Sequence, residues 1–132
     1  IPFRDAAFSR PVYVYGLQQN SETRSNLAIV NLGFVYASVW EDGSADYFKI
    51  EIFDGVTGEK VATLDDFVVD PKRWKQIDRV LEQYATGTQQ AYIRITRTRG
   101  SNPFFVYGVL NDGSRPGERT GDGAFVQGIY DY

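Results

Sequence analysis

The chain has no cysteine, no histidine and no methionine among its 132 residues. Without cysteine there are no disulfides, no thiolate nucleophile and no iron–sulfur or thiolate–zinc centre. Without histidine the Ser-His-Asp and Cys-His relays are excluded, as is imidazole ligation of haem or metals. A cysteine-free chain is compatible with any compartment. The chain starts at Ile1 rather than Met, so it is expected to be a processed or excised piece. No apolar run approaches the roughly 20 residues a membrane-spanning helix needs. Charge of one sign is also lacking: 14 basic against 17 acidic residues give a net charge of −3. The nearest thing to a basic stripe is RITRTRG, but on a strand Arg97 and Arg99 share one face while Arg94 points to the other. Nucleic acid is therefore not an expected partner.

Aromatic residues are plentiful, with nine Tyr, nine Phe and two Trp, so a packed core rather than disorder is expected. Most of the sequence alternates with a period of two and is rich in β-branched and aromatic residues. PVYVYGL places Val12 and Val14 on one face and Tyr13 and Tyr15 on the other. NLAIVNLG is apolar on both faces, which suits a central strand. FVYASVW is a further strand candidate, ending at the EDGSA turn. In DYFKIEIFD, Phe48, Ile50 and Ile52 point inward while Lys49, Glu51 and Phe53 alternate outward. GVTGE forms a hairpin, KVATL returns, and DFVVD extends it. QAYIRITRTR, FFVYGVLND and AFVQGIYDY read as later strands.

One stretch carries a helical pattern, Asp70–Gly87. Asp70 caps it, Pro71 takes the first helical position, and Gly87 ends it in a left-handed conformation. Trp74, Ile77, Val80, Leu81 and Tyr84 form its apolar stripe, so Trp74 is expected in the core. Short strands at regular spacing with one helix predict an all-β fold. It is an antiparallel β-sandwich of jelly-roll or immunoglobulin-like type, with one short covering helix near 70–85. Residues 1–10 read as an N-terminal arm and 11–132 as a single sandwich domain.

The phrases SNLAIVNLG, FKIEIFDGVTGEKVATL, KRWKQIDRVL, AYIRITRTRGSNPFFVYGVLNDG and GDGAFVQG together resemble a β-sandwich module of secreted and surface proteins of environmental bacteria. The likeness spans about Tyr15 to Gly128 and departs at DPKRW, where the module has a glycine-rich turn. It implies a non-enzymatic stalk, repeat or interaction unit outside the cell.

Four constellations bear on chemistry. The loop NDGSRPGERTGDGAF offers Asn111, Asp112 and Asp122 as candidate calcium ligands. Their spacing matches no EF-hand, and Arg115 and Arg119 oppose a cation, so an ordered loop fits better. The acids of EDGSAD and LDD lie in turns, where carboxylates are usually solvated, so no glycosidase pair is expected. Trp40, Tyr47, Tyr13 and Tyr15 are candidates for an exposed aromatic platform that binds glycans. The apolar start of the chain, with Ile1, Phe3 and Phe8, suits an arm that adds a strand to another copy or a neighbouring domain. The expectation is thus a non-catalytic extracellular or cell-surface module, self-assembling into a filament or surface layer by edge-strand pairing, without cofactor. Carbohydrate binding or adhesion is the alternative.

Overall fold

The structure, a computed structural model, describes residues 10–20, 23–33, 45–100, 102–112 and 123–130. Nine strands and one short helix occur among them. The strands are β1 (Val12–Gln18), β2 (Thr23–Asn31), β3 (Asp46–Asp54), β4 (Lys60–Val69) and β5 (Trp74–Ile77). The helix α1 (Val80–Tyr84) precedes β6 (Gln90–Arg99), β7 (Phe104–Asp112), β8 (Gly123–Gln127) and β9 (Ile129–Tyr130). A five-stranded sheet runs β4-β3-β6-β1-β9 and a four-stranded sheet runs β5-β2-β7-β8. All pairings are antiparallel. The expected β-sandwich is therefore the fold.

Alternation decides which side chains enter the core. Val12 and Val14 of β1, Phe48, Ile50 and Ile52 of β3, and Ile93 and Ile95 of β6 line the inner face of the first sheet. Leu27, Ile29, Phe104 and Val106 line that of the second. Phe48 and Phe104 meet edge to face across the gap, 4.8 Å between centroids. Two buried polar side chains tie strands together. Asn31 donates from Nδ2 to the Val69 carbonyl at 2.9 Å, joining β2 to β4. Ser25 donates to the Gln18 carbonyl and accepts from the Gln18 N–H, joining β2 to β1. Each offsets its own desolvation cost by hydrogen bonding to main chain.

The segment expected to be one helix from Asp70 is split. Lys72 takes a left-handed φ of 59°, and the Arg73 N–H bonds the Asp70 carbonyl in a turn. Trp74–Ile77 then pairs with β2, Trp74 opposite Val30 and Ile77 opposite Leu27. Only Val80–Tyr84 is helical, and Val80 and Leu81 enter the core. β2 needs hydrogen-bond partners on that side, and pairing satisfies them; this outweighs a weak local preference for helix. Trp74 consequently lies 58% exposed on an edge strand, which corrects its expected place in the core.

The expected last strand is also divided. β8 belongs to the four-stranded sheet and β9 to the five-stranded one, so the chain changes layers at Gly128. The Gly128 N–H bonds the Val106 carbonyl, and a Cβ there would stand 2.5 Å from Val12 Cγ1 and 2.8 Å from the Val106 oxygen. Only glycine fits this crossing.

Candidate functional site

The two sheets present two outer faces. On the five-stranded sheet, register places Thr63, Glu51, Arg94, Tyr13 and Ile129 in one row across the strands. Beside it, Phe53 stacks on Tyr92 at 4.9 Å and 5°, and Tyr92 meets Tyr15 at 5.5 Å. Tyr15 in turn stacks on Tyr13 at 5.8 Å. Glu51 is only 3% exposed, although it points away from the sandwich core. Its Oε1 accepts from Arg94 Nε at 2.9 Å and lies 2.8 Å from Nη2. Its Oε2 accepts from Lys60 Nζ at 3.3 Å, with Lys49 Nζ at 4.0 Å. Burial pushes the Glu51 carboxyl up, but the hydrogen bonds from Arg94 and Lys60 and the charges of Arg94 and Lys49 together hold it below its ordinary value. A hydrogen bond with Tyr13, then one with Glu51, raises Arg94 above its ordinary value against the cost of burial. A carboxylate held ionised in this way is not poised as a general acid.

On the four-stranded sheet, register aligns Trp74, Val30 and Phe105 in one row and Gln76, Ala28, Tyr107 and Gln127 in the next. Asn26, Val109 and Phe125 follow. Phe105, Tyr107, Phe125 and Gln127 line a shallow, mostly apolar depression of about 380 Å³. Phe125 is 76% exposed, its ring 5.4 Å from that of Tyr107. It sits on β8, an edge strand whose sequence GAFVQ has no charge. The other edges differ. β4 carries Asp65 and Asp66, the latter at φ 56°, in a stretch where its register with β3 shifts. β5 has four residues and β9 two. Charges, irregularities and shortness guard edges against pairing; β8 lacks the first two.

At the other end of the same face, a cavity of about 690 Å³ opens between β2, β5 and α1. Arg24, Asn26, Gln76, Asp78 and Arg79 are among its lining residues. Asn26 Oδ1 accepts from the Arg79 N–H at 2.8 Å, fixing the turn that leads into α1.

The sequence-predicted residues divide accordingly. Tyr13 and Tyr15 are brought together, but with Tyr92 and Phe53 rather than Tyr47. Tyr47 lies farther along β3 with the Arg99 guanidinium 4.3 Å over its ring. Arg97 is likewise occupied, over the Phe104 ring and donating to the Asn102 carbonyl, so no basic stripe forms. Asn111 and Asp112 pair within the sheet opposite Arg24 and Thr23. Among the described residues no group of three or more acidic, His or Cys side chains gathers. Ile1, Phe3, Phe8, Trp40 and Asp122 lie outside the described residues, as does the strand candidate at 34–40. Sequence reading missed Phe125, Tyr107, the Glu51–Arg94 pair and Arg24. The available signal was that FFVYGVLND is apolar at both parities.

No family model matches the chain, and no curated protein matches it. Among solved structures it is similar to the crystal structure of Thermotoga maritima 1070, with a TM-score of 0.63 at 11% identity over 94% of this chain and 96% of that one. It is also similar to the Anabaena sensory rhodopsin transducer, with a TM-score of 0.48 at 14% identity over 76% of this chain and 94% of that one. At 11% identity the first likeness is one of fold.

Proposed function

We propose that this chain is a non-catalytic interaction module that joins a second copy of itself, head to tail, through the β8 edge and the aromatic face beside it. One observation carries the reading: Phe125 stands 76% exposed on an uncharged edge strand. A complementary edge exists on the same molecule. Among the described residues the Lys60–Leu64 half of β4 has no partner on its outer side; it is as long as β8, and Val61 on it is exposed. β8 against β4 is a contact between unlike surfaces, which extends into a filament unless a ring closes. The absence of His and Cys, and the ion-paired state of Glu51, support a role without catalysis. The resemblance to sandwich modules of secreted and surface proteins supports placing the protein outside the cell.

Sedimentation velocity over a concentration series tests this. The wild-type chain is expected to associate as concentration rises, and Phe125→Lys to stay monomeric at the same concentrations. A wild-type chain that remains monomeric throughout would overturn the proposal. Tyr15, 46% exposed, supports a second reading as a glycan-binding surface. It is the weaker one, because neighbouring rings already occupy faces a sugar would stack on. A glycan-array signal lost in Tyr15→Ala but kept in Phe125→Lys would favour it.

A further inference from the structure

The cavity between β2, β5 and α1 holds two opposite charges that have no ion-pair partner among the described residues. Arg24 lines it, and its Nη1 is buried without a hydrogen-bond acceptor. Asp78 lines it too; its carboxylate accepts the Gln76 side-chain amide at 2.5 Å, and no cation among the described residues forms an ion pair with it. The remaining charges are spent on each other, Arg79 lying 3.8 Å from Glu82. Arg24 is half-buried, but a guanidinium nitrogen under cover without an acceptor is costly, and a bound anionic group is one way to complete it. The cavity is within the size range of small-ligand sites, and Asn26 and Gln76 give its wall amide groups.

We propose that this cavity binds a free α-amino acid, its carboxylate on the Arg24 guanidinium and its ammonium on Asp78. The charge balance selects the ligand class. Two guanidiniums and two carboxylates line the site, so a zwitterion leaves it neutral. A phosphate would bring a second negative charge toward Asp78 and Glu82, and a simple amine would leave Arg24 unanswered. Planar guanidinium geometry also suits a carboxylate. The site does not depend on β8 pairing, so the two proposals can fail separately.

The test is titration of the full chain with L-serine, followed by backbone amide shifts in NMR. Saturable shifts at Asn26, Gln76 and Arg79 are expected. N-acetyl-L-serine, lacking the ammonium, and L-serinamide, lacking the carboxylate, should each bind about tenfold more weakly or worse. The dipeptide Gly-Ser, whose charges are farther apart, separates a free amino acid from peptide ends and should also bind more weakly. Arg24→Gln should abolish serine binding without lowering the melting temperature, and the self-association of the chain should stay intact. Absence of saturable shifts, equal binding of the blocked serines or of Gly-Ser, tighter binding of inorganic phosphate, or undiminished binding by Arg24→Gln would each overturn it.

Discussion

The outer faces of the two sheets carry similar side chains and are finished differently. The five-stranded sheet bears Tyr13, Tyr15, Phe53 and Tyr92, and the four-stranded sheet bears Trp74, Phe105, Tyr107 and Phe125. On the first, the rings form a continuous ladder beside a carboxylate held by Arg94 and Lys60. On the second, Phe105, Tyr107 and Phe125 also adjoin, but tilted, Trp74 and Phe125 stay exposed at opposite edges, and Arg24 keeps an unanswered Nη1. Aromatic content alone therefore does not distinguish the two faces. The proposed contact surface rests on which ring faces and charges of a sheet are already satisfied by one another.

Substitution can break this contrast. The largest expected effect is from Glu51→Ala, which leaves three cations around an empty site. It should cost about 2–3 kcal/mol, discounted for the partial exposure of Arg94 and Lys60, and be read as a lower urea midpoint. Acid sharpens the same point. The folded Glu51 carboxyl binds its proton less readily than the unfolded chain's, so unfolding takes up a proton below the ordinary value of 4.5. The stability it contributes is complete above that value and falls away as pH drops through the lowered folded value. In Glu51→Gln this component of the acid loss should vanish when midpoints are followed from neutral pH downward. Next comes Tyr92→Ala, which opens the ring ladder at its centre and should cost about 1–2 kcal/mol. Smallest is Phe125→Ser, expected within about 0.5 kcal/mol of wild type because its ring is already in water. If Phe125→Ser cost as much as Glu51→Ala, the second face would be as finished as the first and the contrast would fail.

The candidate sites were less legible than the strands. Tyr13 and Tyr15 stood out as alternate residues of one strand, but Tyr92 and Phe53 join them only through the pairings of β1 with β6 and β6 with β3. Glu51 read as an ordinary outward acid, because nothing local announces that Arg94, forty-three positions on, will lie opposite it. In the sequence Phe125 is one more alternating strand residue. Its exposure follows from β8 being an edge, a property of sheet order rather than of AFVQG.

What the sequence determined by itself was the period. Side chains alternate across an extended backbone, so Phe48, Ile50 and Ile52 follow as inward and Val12 and Val14 as sharing one face from order alone, and all five are core residues. What the tertiary structure decided was everything that depends on who pairs with whom. The open side of β2 drew Trp74–Ile77 out of a helical pattern, and the tight passage at Gly128 sent β9 to the other sheet. Periodicity is a local property of the chain. Hydrogen-bond partners, the burial of a charge and the openness of an edge belong to residues far apart in sequence, and only their assembly settles them.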